Sequence, residues 1–342
     1  MSFIPIDVTG RGAVILGNEV VCDGFVYRFP FRIQTHVHQD HMDRFDSSKG
    51  CQHIIMSEAT RELLIAEFDA ELEYRSNIHA FPLDSRFNIG DLQIELLSSG
   101  HMVGAAQVAV QETGGIKIGY SGDFDWPLDK VINVEALVID STYGSPNLMR
   151  RCSWEDACNH LVELVLKKSK TGSVLIKSHP GTLQRALESL DAVIKIPVLA
   201  SSRLAAEAAV YRRFGYSIGD IIRVESEEGK LAMEENRYIR LYGKGDRLPS
   251  DPQGSAVIIL SAFMRHEEDP VLEYSERSYR IAITGHADFN GTLEYVKATG
   301  AKYVVTDNSR GGYAVELANS LQERLGIEAR PSSQAVSLCW GE

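Results

Sequence analysis

The segment FRIQTHVHQDHMD, residues 31–43, decides how this 342-residue chain is interpreted. A predicted strand is followed at once by His36, His38, Asp40 and His41. Four metal-ligand side chains within six residues cannot all point to one face of a strand or helix. The spacing therefore predicts a strand-end loop that serves two neighbouring metal ions. The alternative is a polar surface loop that happens to be rich in histidine, which the H-x-H-x-D-H spacing argues against.

Two further candidate ligands also stand at the ends of β-like runs. His101 follows LLSSG, and Asp123 follows IGYSG. A neutral imidazole such as His101 can complete a first metal site with His36 and His38, and a carboxylate such as Asp123 can bridge two cations. Beside the first motif, we expect both residues to be ligands rather than turn residues.

The pattern of apolar residues predicts an α/β protein with two lobes. Before residue 146, short β-branched runs bounded by turn formers predict one or two packed sheets: GAVILG, EVVCDG, FRIQTH, HIIMS, DLQIELLSSG, AAQVAVQETGG, IKIGYSGD and ALVIDSTY. From Ser153, the helical runs WEDACNHLVELVLKK, LQRALESLDAVI and SRLAAEAAVYRRF alternate with SVLIKS and IPVLAS. This βαβ pattern predicts parallel strands with crossover helices.

The remainder of the chain is first polar and then regular again. Residues 217–253 are polar and charged, with DRLPSDPQGS as the clearest loop, and strand-like runs resume at SAVIILSAF and YRIAITGH. A helix in NGTLEYVKATG, a strand in AKYVVTDN and a helix in YAVELANSLQERLG follow. This order predicts a return to the strand-and-helix pattern of a packed core.

Composition indicates an ordinary globular protein, with 44% hydrophobic and 24% charged residues. No run approaches the roughly 20 apolar residues that span a bilayer, and the first residues show no signal-peptide pattern, so we expect a cytoplasmic protein without a membrane partner. Five cysteines, the last being Cys339, include no C-x-x-C pair. They predict reduced thiols rather than disulfides or a cysteine zinc site.

Charge is distributed unevenly along the chain. The net charge of −12 alone would argue against a nucleic-acid partner. Residues 150–215, however, contain 11 Lys and Arg against 6 Asp and Glu, a local charge of +5, which leaves −17 for the rest. This basic segment is consistent with an anionic strand bound by the middle of the chain.

The candidate metal ligands resemble those of the metallo-β-lactamase superfamily. The resemblance lies in the His36–His41 loop, His101 and Asp123, and extends to Asp23. The next convincing histidine, His286 in YRIAITGHADF, comes 163 residues after Asp123. That gap, with Asp140 in ALVIDSTYG, resembles the β-CASP group of nucleases, in which a second α/β lobe is inserted into the hydrolase fold. GHADFNGTLEYVKATGAKYVVTDN is similar to the return segment of bacterial ligase-associated DNA exonucleases.

The resemblance implies an α/β fold in which a metallo-β-lactamase αββα sandwich, residues 1–145 and 279–342, carries an inserted β-CASP-like α/β cap lobe, residues 146–278. It implies two divalent metal ions, zinc or alternatively manganese. The implied ligands are His36, His38 and His101 for the first metal, Asp40, His41 and His286 for the second, and Asp123 for both. Catalytic roles are implied for Asp40, Asp123, Asp140 and His286. Asp140 would orient the histidines or carry a proton, and Asp23 would be a structural hydrogen-bonder beneath the His36 loop.

The cap lobe is expected to bind substrate phosphate. KSHPGTLQRALESL places Ser178, Gly181, Thr182 and Arg185 at a strand-to-helix junction. Free backbone N–H groups and the helix dipole favour an anion at such a junction. The alternative is an ordinary capped helix with an exposed arginine.

The sequence departs from the family pattern at one position. Nuclease relatives that cleave RNA, and the ligase-associated enzymes, usually have a histidine after the next strand, where this chain has Asp307 in YVVTDNSRGG. Artemis-like DNA nucleases of the same group also lack this histidine, so the departure favours DNA over RNA. Asp307 is expected either to donate or accept hydrogen bonds in the cleft or to cap a helix near Tyr313. Arg310 is expected to be either a phosphate ligand or a solvated loop arginine.

These expectations combine into a metal-dependent nuclease that hydrolyses phosphodiester bonds with a two-metal-activated water. The main hypothesis is a DNA exonuclease that acts on single strands or ends, associated with other DNA-processing proteins in DNA repair. The alternatives are an RNA-processing endo- or exoribonuclease of the same fold and a catalytically idle metal-binding scaffold.

Overall fold

The computed structural model describes residues 6–68, 70–250, 254–261 and 268–333. The protein is a mixed α/β protein, as the sequence predicted, and it divides into two compact units. Unit 1 comprises Met1–Met149 and His286–Glu342, and unit 2 comprises Arg150–Gly285. These boundaries fall four and seven residues beyond the predicted ones at 145 and 278. The second difference arises because the strand Ser278–Ala282 pairs within the sheet of unit 2.

Unit 1 contains a six-stranded mixed sheet in the order β1-β2-β3-β4-β5-β6. Its strands are β1 (Ile6–Val8), β2 (Val14–Leu16), β3 (Val20–Cys22), β4 (Phe31–Gln34), β5 (His53–Ser57) and β6 (Ile78–Phe81). Helix α1 (Glu58–Phe68) packs on β5 and β6. The sequence analysis did not identify β1, β6 or α1.

The second sheet of unit 1 has seven strands. They are β7 (Ser85–Ile89), β8 (Leu92–Ser98), β9 (Ala106–Glu112), β10 (Lys117–Tyr120), β11 (Ala136–Ile139), β19 (Tyr303–Thr306) and β20 (Glu328–Pro331), in the order β20-β19-β11-β10-β9-β8-β7. The pairs from β10 to β20 are parallel, and those from β7 to β10 are antiparallel. The carboxyl ends of three parallel strands, β10, β11 and β19, therefore meet at one edge.

The core of unit 1 lies between its two sheets. Val14 and Ile33 of the first sheet share one buried cluster with Ile94, Val108 and Val138 of the second. Helices α6 (Phe289–Thr299) and α7 (Ala314–Leu325) bury an apolar side in a second cluster that includes residues of β11 and β19. With both faces covered, all four residues of β11 are buried, as expected for a central parallel strand.

Unit 2 is a seven-stranded sheet in the order β14-β13-β15-β12-β16-β18-β17, parallel except for the β17–β18 pair. Its strands are β12 (Val174–Lys177), β13 (Val198–Ala200), β14 (Ile221–Arg223), β15 (Ile239–Tyr242), β16 (Ala256–Ser261), β17 (Val271–Ser275) and β18 (Ser278–Ala282). Its helices are α2 (Trp154–Lys168), α3 (Thr182–Asp191), α4 (Ser202–Arg213) and α5 (Glu227–Glu234). The predicted βαβ organisation is confirmed.

Residues 217–253, in which the sequence predicted no strand or helix, contain regular structure. That stretch contains β14, α5 and β15, and β15 lies between β13 and β12 inside the sheet. Helix α5 is short and mostly polar, and the N-cap hydroxyl of Ser226 accepts a hydrogen bond from Gly229 N–H. A four-residue strand and a solvated helix both lack a long apolar period, so the sequence pattern did not reveal them.

Cys22, Cys51, Cys152 and Cys158 are free and buried, as predicted for reduced thiols, while Cys339 lies outside the described residues. Within the described part of the chain, no helix combines the length and the apolar character needed to cross a membrane.

Candidate metal centre

The metal-type side chains lie at strand ends of unit 1. His36 follows β4, Asp123 follows β10 and Asp140 follows β11 directly. His101 lies in the loop after β8, and His286 lies two residues before Asp288, which caps α6. The topology thus brings together residues that are as much as 250 positions apart in sequence.

Asp123 is the common neighbour of four histidines. Its carboxylate oxygens lie at 3.1 Å from His41 Nε2, 3.5 Å from His36 Nε2, 3.6 Å from His101 Nε2 and 3.9 Å from His286 Nε2. The carboxylate is nearly buried, with a side-chain exposure of 9%. Asp123 therefore occupies the position expected of a bridging ligand.

The remaining predicted ligands join the same cluster. His38 Nδ1 lies 3.1 Å from His101 Nε2, and Asp40 Oδ2 lies 3.7 Å from His41 Nε2. Three overlapping sets have ligand atoms within 4.8 Å of one another: His36, His38, His101 and Asp123; Asp123, Asp140 and His286; and Asp23, His36 and His41. The structure brings all seven predicted ligands together, and Asp23 and Asp140 lie beside them.

Hydrogen bonds fix which ring nitrogen of three histidines faces Asp123. His41 Nδ1 lies 2.7 Å from Asp23 Oδ2, and His286 Nδ1 lies 3.1 Å from Asp140 Oδ2. An ionised carboxylate only accepts, so each Nδ1 donates and, in the neutral ring, each Nε2 keeps its lone pair.

Thr35 fixes the ring of His36 in the same way. The Thr35 hydroxyl donates its one proton to Asp23 Oδ2 at 2.6 Å, and so it accepts from His36 Nδ1 at 3.0 Å. Asp23 also accepts from the Thr35 backbone N–H. Asp23 thus lies beneath the loop as a hydrogen-bond acceptor, the role that the sequence predicted.

The residues present fit a metal ion. The Nε2 atoms of His36 and His41 are buried and have no hydrogen-bond partner. Lone pairs that face a buried carboxylate cost free energy unless a cation or a proton lies between them. Imidazole and carboxylate ligands without thiolate suit zinc, manganese and similar divalent ions. The cluster could therefore hold a metal ion.

Burial and the neighbouring charges shift the pKa of the cluster residues in opposite directions. Burial lowers the pKa of His38 to about 3 and also lowers the pKa of His36 and His101, which favours neutral rings. Burial opposes charge on His41 too, but Asp123 and Asp23 outweigh it and raise the pKa of His41 to about 10. For His286, burial is likewise outweighed by Asp140 and Asp123, and the pKa rises to about 9. The raised pKa values favour the protonated form of these two rings.

The hydrogen bonds that support the His36 loop from beneath were not predicted from the sequence. Arg32 is fully buried, and its guanidinium donates to Gln34 Oε1, Ser48 Oγ and the backbone carbonyl of Asp43. The Gln34 side chain in turn donates to the carbonyls of His36 and His41. The only available signal was a charged residue inside a strand, which does not reveal what it contacts.

The residues predicted to bind phosphate at the β12–α3 junction have protein partners in most cases. Gly181 N–H donates to Gln184 Oε1 at 2.8 Å, and the Arg185 guanidinium lies 4.1 Å from the Trp154 ring centre. Thr182 is the first residue of α3. The Ser178 hydroxyl is buried and has no hydrogen-bond partner. The alternative prediction, a capped helix with an exposed arginine, is wrong for the arginine, because the Arg185 guanidinium stacks on the indole ring of Trp154.

The structure corrects two expectations for the loop after β19. Asp307 does not cap a helix: α7 begins at Ala314 after Tyr313, which provides no side-chain cap, while Asp307 accepts from Ser309 and pairs with Arg310. Arg310 is not a solvated loop arginine, since its side chain is only 11% exposed. An aspartate three residues before the arginine forms a local ion pair, which the sequence analysis did not consider.

The fold and the site together define an α/β protein with a buried histidine and aspartate cluster that could hold a metal ion. The chain is 34% identical over 105 residues to the "Uncharacterized protein in lig 3'region" of Acidianus ambivalens, a match that covers 30% of this chain and 74% of that protein. The chain belongs to the same protein family as this Acidianus protein.

Comparison of folds gives a second match. A crystal structure of a protein of unknown function from Enterococcus faecalis V583 superposes with a TM-score of 0.61, covering 89% of this chain and 79% of that chain at 14% identity. At this identity, the likeness shows the fold alone. No model of a known protein family matches the chain.

Proposed function

We propose that this protein is a metal-dependent nuclease of the β-CASP group within the metallo-β-lactamase superfamily, and that it hydrolyses phosphodiester bonds of DNA at single strands or ends. The observation that carries the proposal is the convergence on Asp123 of histidine Nε2 atoms whose tautomers are set by Thr35, Asp23 and Asp140. A surface loop that was rich in histidine by chance would not be backed by three separate acceptors.

The ligand assignment follows the grouping of side chains. His36, His38 and His101 would hold a first cation, Asp40, His41 and His286 a second, and Asp123 would contact both. When bound, two divalent cations, zinc or manganese, would activate a water and offset the negative charge of the phosphodiester. In the reaction, the water oxygen forms a bond to phosphorus, one P–O ester bond breaks, and the leaving oxygen takes a proton.

The residues around the ligands have a positioning function. Asp140 Oδ1 accepts from the Thr142 N–H and hydroxyl at 2.8 and 2.7 Å, and Asp140 Oδ2 faces His286. Both oxygens are engaged, so the geometry favours Asp140 as the residue that orients His286 rather than as a proton carrier. Such partners of metal ligands raise the basicity and fix the direction of the imidazole.

Three further observations support the family assignment. Unit 1 has two sheets that share a core, helices α6 and α7 pack on the second sheet, and the 136 residues of unit 2 interrupt it in the sequence. The relative's printed name refers to a lig 3′ region, which is compatible with the ligase-associated exonucleases that the return segment resembles. Asp307 stands where the Artemis-like DNA nucleases of the group also lack a histidine, and this favours DNA as the substrate.

The basic segment supports an anionic polymer as the substrate. Residues 150–215, which carry the local charge of +5, lie within unit 2. The Ser178 hydroxyl, buried and without a hydrogen-bond partner at the start of the β12–α3 turn, is the candidate phosphate contact there. Association with other DNA-processing proteins in DNA repair is part of the same proposal.

The proposal is tested by cleavage of matched 5′-labelled single-stranded DNA and RNA oligonucleotides by the full chain in zinc or manganese. The Asp123→Ala protein, purified in the same way, controls for contaminating nucleases. We expect metal-dependent, stepwise shortening of the DNA with RNA spared. Preferential RNA cleavage would move the assignment to RNA processing. If a metal-loaded protein cleaves neither, the nuclease proposal is wrong and the idle scaffold is favoured.

A further inference from the structure

Arg310 links three segments of unit 1 that are far apart in sequence. Its Nε donates to the backbone carbonyl of Asp40 at 3.2 Å. Its Nη1 donates to the Asp307 carboxylate, and its Nη2 donates to the carbonyl of Gly12. One guanidinium therefore joins the loop of predicted metal ligands to the β1–β2 turn and to the loop after β19.

The Asp307 end of this link is firmly held. Asp307 Oδ1 accepts from Ser309 N–H at 2.8 Å and from the Ser309 hydroxyl at 2.6 Å. Its N–H donates to the Ile139 carbonyl at 2.9 Å, and its own carbonyl accepts from the Ser141 hydroxyl. Ile139 and Ser141 flank Asp140, so the anchor of Arg310 is fixed to the strand end that carries the partner of His286.

The Gly12 end is shaped to receive the guanidinium. Gly12 has a φ of +86°, and a Cβ at this position would lie 3.0 Å from Arg310 Nη2. A side chain here would be strained by the backbone and would also press on the arginine. The turn therefore leaves room for Arg310, which is 11% exposed beside a 6% exposed Asp307.

Among the predicted ligands, Asp40 has an exposed side chain whose position depends on its backbone. Its side chain is 54% exposed, whereas that of Asp123 is 9% exposed. It lies in a single 3₁₀ turn, Gln39–His41, which has no side-chain cap at His38. Little packing therefore fixes its carboxylate, and the hydrogen bond to its backbone carbonyl becomes important.

We propose that Arg310 is a positioning residue for the second metal site: by holding the Asp40 peptide against Asp307 and Gly12, it sets where the Asp40 carboxylate lies. The inference rests on the proposed two-metal centre. Arginine suits this function because its planar group donates in several fixed directions at once, which lysine cannot do. Since three acceptors in the protein already use the guanidinium, its geometry supports positioning more than the phosphate contact considered from the sequence.

The test is titration of the metal-free full chain with Zn²⁺ against a competing chelator. Asp40→Asn identifies the binding event to which Asp40 contributes. Arg310→Met should weaken that event by about 10- to 100-fold and leave the other within about twofold, as for partners of metal ligands elsewhere. Arg310→Lys should fall in between. The matched control is Arg330→Met, which removes another arginine that spans distant segments of unit 1, through Asp7 and Ile6.

The melting temperatures of the metal-free variants show whether each protein is folded. If Arg310→Met does not fold, Arg310→Lys alone tests the inference.

Unchanged affinity in the binding event to which Asp40 contributes, in both Arg310→Met and Arg310→Lys, would overturn the inference. Equal weakening of both binding events would also overturn it. A wild-type chain that binds fewer than two cations would instead overturn the two-metal proposal, and the inference with it.

Discussion

Both units carry polar side chains where parallel strands end, but the two arrangements differ in how far the protein satisfies them. In unit 1, ligand atoms of His36 and His41 have no hydrogen-bond partner and face Asp123. In unit 2, Lys177 Nζ donates to the Asp246 carbonyl at 2.6 Å, and Gly181 N–H is taken by Gln184. Buried polar groups without a hydrogen-bond partner in the protein indicate a ligand-binding site. Polar groups that are hydrogen-bonded within the protein indicate a structural role.

The hydrogen bonds in the two units also serve different purposes. In unit 1, each Nδ1 of His36, His41 and His286 has an acceptor that turns its Nε2 toward one point. In unit 2, the single N–H of Gly181 is used by Gln184, and one donor of the Lys177 ammonium is used by the Asp246 carbonyl. The Ser178 hydroxyl is the exception in unit 2, because it is buried and has no hydrogen-bond partner, so phosphate binding there can be tested by its removal.

The largest expected effect is that of Asp123→Ala. Because Asp123 contacts both predicted metal groups, its loss should reduce cleavage by about 10⁴-fold or more, as when residues that act as a unit are removed. Metal content, measured by mass spectrometry of the dialysed protein, should fall to at most one cation per chain. Asp7→Ala, which removes a carboxylate of unit 1 that pairs with Arg330, should leave both values unchanged. Wild-type turnover by Asp123→Ala would contradict the ligand assignment.

A smaller loss is expected from Asp140→Ala. His286 Nδ1 then lacks its acceptor, and affinity for the cation that His286 holds should fall by about 10- to 100-fold. Thr142→Val offers a graded comparison, since it removes the hydroxyl donor to Asp140 but keeps the backbone donor. Affinity in Asp140→Ala equal to that of the wild type would show that His286 does not depend on this hydrogen bond.

The metal-free protein should become less stable as the pH rises. The folded-state pKa of His41 is about 10 and that of His286 about 9, both above the ordinary 6.5. A raised pKa contributes stability that is fully present below about pH 6.5 and is lost as the pH passes the folded values. We expect the stability to fall progressively between pH 7 and 10, seen as a lower melting temperature in chelator.

His286→Ala provides the control for that experiment, because its pH dependence should be flatter than that of the wild type over the same range. A wild-type melting temperature that is flat from pH 7 to 10 would show that protons do not replace the cation at these rings.

The smallest expected effect concerns unit 2. A buried hydroxyl without a partner costs about 1–3 kcal/mol, so Ser178→Ala should raise the stability of the ligand-free protein by up to about 1 kcal/mol. Phosphate should raise the melting temperature of the wild type and not that of Ser178→Ala. Ser173→Ala is the control, since that buried hydroxyl donates to Asn236 and its loss should destabilise. An equal response of both proteins to phosphate would remove Ser178 from the predicted phosphate site.

The candidate site was more predictable from sequence than its support. The ligands are recognisable because H-x-H-x-D-H, His101 and Asp123 are chemically unusual and stand at strand ends, and strand ends meet at sheet edges. Arg310 offered no such signal. Its partners Gly12 and Asp40 lie about 300 and 270 positions away, and backbone acceptors leave no trace in residue type.

The elements of the fold also differ in how well the sequence predicts them. The runs that became β8, β9 and β11 have clear apolar patterns, and α2 begins with the Ser153 capping box and covers the predicted helical run. Helix α1 and strand β15 were missed because they are short, eleven and four residues, and so offer too few positions for an apolar period to stand out. Tertiary contacts then decide their structure, and these are not visible in a local window.

The proposed mechanism depends on the binding of two divalent cations by seven side chains of unit 1. Native mass spectrometry of the full chain, titrated with Zn²⁺ from the metal-free state alongside Asp123→Ala, counts the bound cations. We expect saturation at two bound cations for the wild type and at most one for the variant. Saturation below two cations in the wild type, or at two in both proteins, would contradict the proposal.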